Sequence, residues 1–280
     1  MRRGNVVIIP VYKTTIDKYE RKSFRQCCKV LGTHDICLAT YPELNCDCYY
    51  SIAKKFGVNL MRENFDKGFF AGIDGYNKLM LSLQFYERFL NYQYLLIYQL
   101  DAYVFRDELD FWCNRGYEYI GAPIFDNIVD LIRKQYFDAL GEPLELKRAY
   151  NGGASLRRVD RFVAALAEKK DYVSKLSENG FYEDIIFSIL FSDQKNGIEN
   201  ASLAFAFESF PAQCYIKNGR KLPMLCHAWN RNDLDVYDCE FWARKIMPIE
   251  YWLGWLKSIP RRTRLFVSQL VKRILLFFFL

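Results

Sequence analysis

The chain has 280 residues, 51% of them hydrophobic and 17% aromatic, too apolar for a disordered polymer and long enough to bury a large core. Its net charge of +6 is unevenly placed: six of the 39 bases (Lys257, Arg261, Arg262, Arg264, Lys272 and Arg273) fall in residues 257–280 with no acid, and the other 33 face 33 acids. A neutral body lacks the basic face that displaces counterions from nucleic acid, so no nucleic-acid partner is expected.

Taken in chain order, Asn5 to Val11 ("NVVIIPV") is a β-branched run closed by proline and reads as a first strand. A helix is expected over residues 15–31, a second strand over 34–40, a short helix over 48–56 and a third strand over 58–62. This β-α-β-α-β rhythm implies right-handed crossovers and a mostly parallel sheet with helices on both faces. Residues 69–89 carry apolar side chains at helical spacing (Phe69, Ile73, Tyr76, Met80, Leu83) and read as one packed helix. "YLLIYQL", residues 94–100, has the near-continuous apolar look of an inner parallel strand, and it runs into Asp101. Residues 117–124 read as another strand, 125–148 as an excursion with one helix, and "NGGASLRR" (151–158) as a close-approach turn entering a strand or helix. Helices are expected over 160–170 and 182–191, and a late strand over 203–208.

The nine cysteines are odd in number, form no C-x-x-C pair and follow no signal peptide, which fits a reducing cytoplasm. Cys27, Cys28, Cys37, Cys46 and Cys48 with His34 match no common zinc module and read as buried thiols. Residues 251–280 place an aromatic "YWLGWL" before the bases and then "LFVSQLVKRILLFFFL", where Ser268, Gln269, Lys272 and Arg273 share one side of a helix. Such a segment suits a membrane interface better than a span, since its apolar part is shorter than the ~20 residues a spanning helix needs. A terminal helix docked on protein is the alternative. The expected division is a body over residues 1–250 and a tail over 251–280.

"YQLDAYVF", "YIGAP", "NGGASLR", Glu183-Asp184 followed by "FS", and "CHAW" occur in an order that resembles a bacterial family of glycosyltransferase-like proteins of unassigned specificity, related to the GT-A fold. The resemblance covers roughly residues 5–230. It implies a GT-A-like, Rossmann-like α/β body that uses a nucleoside diphosphate sugar, with Mn²⁺ or Mg²⁺ at the diphosphate and a glycan or lipid-linked acceptor. GT-A enzymes place an Asp-x-Asp motif at the end of a strand; here the triplet is Gln99-Leu100-Asp101, and only the second acid is present.

On that resemblance Asp101 and His227 are the metal-ligand candidates, and Pro10, Val11, Tyr12, Gln99, Asp101 and Ala102 the donor-binding ones. Asn151, Gly152, Gly153 and Trp229 would border the sugar and acceptor, and Lys67 and Asn77 are further nucleotide candidates. Glu183 and Asp184 are the general-base candidates, because an inverting transfer needs a carboxylate to take the acceptor hydroxyl's proton. Asp184 is placed first. Each residue also has a plainer reading: a turn cap for Asp101, a core histidine for His227, a glycine turn with positive φ for Gly152 and Gly153, and dipole-favoured acids at a helix start for Glu183 and Asp184. The expectation is a cytoplasmic glycosyltransferase at the inner face of a membrane, acting in surface polysaccharide synthesis. A non-catalytic sugar-nucleotide or glycan binder on the same fold is the rival.

Overall fold

The computed structural model describes residues 3–124, 126–193, 205–206, 215–216, 219–230 and 236–250. The chain divides into two compact units, Met1–Trp229 and Asn230–Leu280. The described part of the second unit contains the helix Val236–Ile246, and the expected tail at 251–280 lies outside the described residues. Among the described residues no helix is long and apolar enough to cross a membrane.

The first unit is built on a six-stranded sheet in the order β3-β2-β1-β4-β7-β6. Its strands are β1 (Arg3–Pro10), β2 (Asp35–Thr40), β3 (Met61–Asn64), β4 (Tyr92–Tyr98), β6 (Tyr119–Ile124) and β7 (Ala149–Arg158). β1 to β4 are mutually parallel; β7 runs against both β4 and β6. Val6 to Ile9 and Leu95 to Tyr98 have no exposed surface, as inner strands covered on both faces require.

The first helix, α1 (Lys18–Val30), starts at a complete capping box. The Asp17 carboxylate accepts the Tyr19 and Glu20 N–H groups while Glu20 accepts the Asp17 N–H. Its buried face is Ser23, Phe24, Cys27 and Cys28. α2 (Asp47–Lys54) follows, and Val58 N–H then bonds back to Ala53 O, so the chain enters the core here and β3 begins three residues later than its apolar run suggests. Cys27, Cys28, Cys37, Cys46, Cys48, Cys113 and Cys226 are free thiols, all but Cys48 buried; burial pushes the thiols of Cys28, Cys37 and Cys113 up to about 12.

The single helix expected over residues 69–89 is broken into three pieces: a 3-10 turn (Lys67–Phe70), α3 (Gly72–Met80) and α4 (Leu83–Glu87). Gly72 opens α3 at φ +74°, which swings Phe69 and Phe70 off the helix axis. Leu81 N–H closes on Asn77 O and the Ser82 hydroxyl on Leu79 O, ending α3 before α4 starts. Apolar periodicity survives such a break because each piece packs on the same core.

Beyond β4 come β5 (Tyr103–Val104), α5 (Leu109–Cys113), α6 (Asp126–Leu140), α7 (Val159–Glu168), α8 (Lys170–Glu178) and α9 (Glu183–Leu190). A second small sheet, in the order β5-β9-β8, joins β5 to β8 (Phe205–Ala206) and β9 (Leu225–Cys226). Arg106 holds it by donating to the Leu222 and Pro223 carbonyls, and Gln26 of α1 donates to Val104 O at 2.9 Å.

Replacing Asp17 with Ala removes one side of the capping box and leaves two N–H groups of α1 unpaired. A loss of about 1 kcal/mol is expected from urea unfolding, and Asp17→Asn should recover most of it.

Candidate active site

A cleft of about 370 Å³ opens at the carboxyl end of β1 and β4, the edge where ligands bind in open α/β sheets. Pro10, Tyr12 and Lys13 line it from beyond β1; Gln99, Leu100 and Asp101 line it from beyond β4. Gln99 to Ala102 form a tight turn, closed by Ala102 N–H to Gln99 O at 2.9 Å, so Asp101 sits in a turn at the mouth of the cleft. Val11 and Ala102 also lie at this edge, but their side chains are fully buried.

The opposite wall comes from Phe69, Phe70, Ile73 and Tyr76, residues whose spacing marked them only as helix core. Ile73 is 68% exposed and Tyr12 56%, whereas the Tyr76 hydroxyl is buried without a hydrogen bond of acceptable geometry. Only the break at Gly72 turns this segment into a cleft wall, and nothing in the local periodicity signals it. Lys67 lies over the Tyr41 ring at 5.5 Å, and Asn77 Oδ1 accepts the Glu183 N–H at 2.8 Å, so Asn77 serves the start of α9.

Strand register brings the late histidine to the turn. β5 pairs antiparallel with β9, Tyr103 opposite Cys226, and Trp229 N–H reaches Asp101 O at 3.3 Å. His227 Nε2 therefore lies 3.1 Å from Asp101 Oδ1 and 3.0 Å from Gln99 Oε1. One ring nitrogen can donate only one proton, yet two acceptor oxygens converge on it. Ala228 has φ +54°, in the left-handed region. That bend lets His227 face the turn while Trp229 is buried with its indole N–H on Ser23 Oγ at 2.9 Å. The expected acceptor contact Trp229 is thus placed in the core, between Tyr19 and Tyr103.

The Asn-Gly-Gly segment is a bulge within β7, not a turn before it. β6 pairs Gly121 with Ser155 and then Ala122 with Asn151, leaving residues 152–154 out of that ladder. Neither Gly152 nor Gly153 has positive φ. What forbids a side chain is proximity: a Cβ on Gly153 would lie 2.2 Å from His227 Nε2 and 2.7 Å from Gln99 Oε1, and one on Gly152 would lie 2.1 Å from Glu183 Oε1. Asn151 Oδ1 accepts the Gly153 N–H at 3.1 Å, holding the bulge in shape. Since adjacent Cα atoms are about 3.8 Å apart, the bulge brings the histidine cluster and the acids of α9 to neighbouring residues of one strand.

Those two acids differ sharply. Glu183 is buried, and Arg157 Nη2 lies 3.0 to 3.1 Å from its oxygens. Arg157 has no exposed surface; it also donates to Tyr86 OH at 2.8 Å and Ser155 Oγ at 3.0 Å, with Phe187, Phe162 and Tyr119 rings around it. Burial pushes the Glu183 carboxyl upward and the guanidinium opposes it. Asp184 is partly exposed, its oxygens accepting Ile185 N–H at 2.8 Å and Gly152 N–H at 3.3 Å. Burial, and then the Glu183 charge, push its carboxyl up to about 7.

This architecture, a mostly parallel sheet ending in an aspartate turn faced by a late histidine, is the GT-A glycosyltransferase fold. Galactosyltransferase LgtC in complex with donor and acceptor sugar analogues superposes with a TM-score of 0.56 at 14% identity, over 93% of this chain and 99% of that one. The apo bifunctional glycosyltransferase WbbM gives 0.53 at 14% identity over 90% and 51%, and apo GlyE of Streptococcus pneumoniae TIGR4 gives 0.53 at 14% over 91% and 64%. At such identities the likeness is one of fold. The chain belongs to the family described as protein of unknown function (DUF5672), which matches residues 59–227 and so takes in the cleft wall, the Asp101 turn, the bulge, both acids and His227. No curated protein matches the chain in sequence.

Substituting Arg157 by Met leaves Glu183 buried without its partner and should cost about 3 to 5 kcal/mol in urea unfolding. The double variant Arg157→Met/Glu183→Gln removes both charges and is expected to regain a substantial part of that loss.

Proposed function

We propose that the protein is a glycosyltransferase that moves a sugar, with inversion, from a nucleoside diphosphate donor to a glycan or lipid-linked acceptor in surface polysaccharide synthesis. The observation that carries this reading is the convergence of the buried His227 on Asp101 and Gln99, which line the cleft, on a GT-A fold. The cleft beyond β1 has the aromatic and basic side chains, Tyr12, Tyr49 and Lys13, that suit a base and ribose.

Among the described residues no three His, Cys, Asp or Glu side chains cluster as a complete metal site. The donor set nonetheless fits a divalent ion shared with a ligand. The imidazole nitrogen lies 3.1 Å from the carboxylate oxygen and 3.0 Å from the amide oxygen, and Gly153 keeps the space beside them clear. Asp101 and His227, with the Gln99 oxygen, would hold Mn²⁺ or Mg²⁺, and diphosphate oxygens would complete the shell. Such an ion, when bound, supplies Lewis-acid stabilisation of the charge on the departing diphosphate.

Asp184 supports the proton-transfer role better than Glu183. It is partly exposed and half ionised near neutral pH, whereas the Glu183 oxygens are engaged by Arg157. A carboxylate with a pKa near working pH can both accept the acceptor hydroxyl's proton and be ionised often enough to do so.

A non-catalytic sugar-nucleotide binder is the second reading, favoured by Gln99 where the motif's first acid would stand. Donor turnover separates the two. An enzyme releases nucleoside diphosphate from a nucleotide sugar in the presence of Mn²⁺, and Asp101→Ala should lower that rate by at least about two orders of magnitude. A binder shows donor-dependent thermal stabilisation and no release with any acceptor tried. The rate should rise with pH and level off above about 7 as Asp184 loses its proton. Asp184→Asn should remove that limb.

The sequence of residues 251–280 supports a peripheral place at the cytoplasmic face of a membrane, where a lipid-linked acceptor is within reach. The full chain is expected to sediment with vesicles containing anionic lipid, less with purely zwitterionic ones, and to be released by salt. Equal sedimentation with both would remove the electrostatic part of this reading.

A further inference from the structure

Glu183 and Asp184 are adjacent in sequence but stand in opposite electrostatic positions, and the structure shows what divides them. Arg157 lies on β7 with every donor directed inward: Nε to Ser155 Oγ, Nη1 to Tyr86 OH, and Nη2 to both Glu183 and, at 3.3 Å, the Gly152 carbonyl. Gly152 in turn gives its N–H to Asp184. One fully buried guanidinium thus holds the residue before Asp184 and the bulge residue that binds Asp184. Both Glu183 oxygens lie close to Nη2, Gly152 packs on one of them, and the side chain is buried.

We propose that the Arg157–Glu183 pair is a positioning device: it fixes Asp184 against the glycine bulge and ties the Glu183 oxygens to the guanidinium, so that Asp184 handles the proton and Glu183 does not. This rests on the glycosyltransferase reading for its consequence, though not for its test. The groups facing Asp184 are Glu183 on its own helix, Arg157 and the Gly152 N–H on β7, and Tyr119 on β6, whose own phenol is held neutral by burial. Of these, the Glu183 charge favours the protonated form of Asp184, while Arg157 and the two N–H groups favour the carboxylate. Arg157 acts on Asp184 chiefly through its neighbour, since its own charge is the weakest of these influences.

The sign for stability follows from the raised value. A carboxyl whose folded-state pKa lies above its unfolded one stabilises the fold below the unfolded pKa, and that contribution is lost as pH rises through about 7. The experiment is urea unfolding of the full chain from pH 4 to 9, for wild type, Asp184→Asn and Glu183→Gln. Expected are a fall in wild-type stability across this range, a markedly shallower fall in Asp184→Asn, where only the upward-shifted Glu183 remains, and in Glu183→Gln a displacement of the fall to lower pH by about one unit or more. The proposal is overturned if Glu183→Gln abolishes the pH dependence and Asp184→Asn retains it, or if Asp184→Asn leaves the profile unchanged. Should Glu183→Gln fail to fold, the Asp184→Asn profile still decides whether Asp184 is the titrating group, and Arg157→Met/Glu183→Gln replaces the single variant. Absence of donor turnover in a chain that shows the expected profiles would sink the glycosyltransferase reading and leave the positioning device standing.

Discussion

A guanidinium with no exposed surface cannot be tolerated without a full set of acceptors, and the neighbourhood of Arg157 supplies them. Its carboxylate partner comes from the first residue of α9, its hydroxyls from α4 and β7, its carbonyl from the bulge, and its flanking ring faces from β6, α7 and α9. Five elements therefore share one charge. A hydrophobic side chain of similar size would pack with less directional demand, whereas the ion pair admits one arrangement of α9 against β7. That arrangement sets Gly152 against Glu183, and with it the place of Asp184.

The glycine pair then couples this buried network to the cleft. Gly152 meets the acids and Gly153 meets the Gln99–His227 contact, on consecutive residues of a strand that has left its ladder with β6. β7 stays paired with β4 over Ala154–Arg158, and the bulge residues pass two groups of side chains that leave no volume for a Cβ. On the other side of Asp101, the short β5-β9 pairing and the left-handed Ala228 turn the buried His227 towards Asp101 and Gln99 and Trp229 towards Ser23. α1 anchors both sheets there: the Tyr98 hydroxyl lies 3.1 Å from the Ser23 and Ala102 carbonyls, and Ser23 Oγ takes the Trp229 indole.

Much of the sheet was legible from apolar runs alone. β1, β2, β4 and β6 fall within two residues of their expected bounds, because strands buried on both faces have no polar positions to blur the pattern. The segment 69–89 was misread as one helix, since periodicity reports which side chains face the core and is indifferent to a glycine that redirects the axis between them. In the Asn-Gly-Gly stretch the need for close backbone approach was visible, but its cause was not. Positive φ and a neighbouring side chain 2 Å away leave the same mark on a sequence.

Composition and the order of the motifs by themselves determined an α/β body with an aspartate at the carboxyl edge of a central strand, because hydrophobic periodicity and strand-end chemistry are local properties. Only the tertiary structure decided that Phe69, Phe70 and Tyr76 form a cleft wall, that Trp229 is core, and that Glu183 and Asp184 have different partners. Those outcomes depend on which charge lies 3 Å from which, and the partners come from residues 26 to 128 positions apart, a separation across which sequence spacing carries no distance.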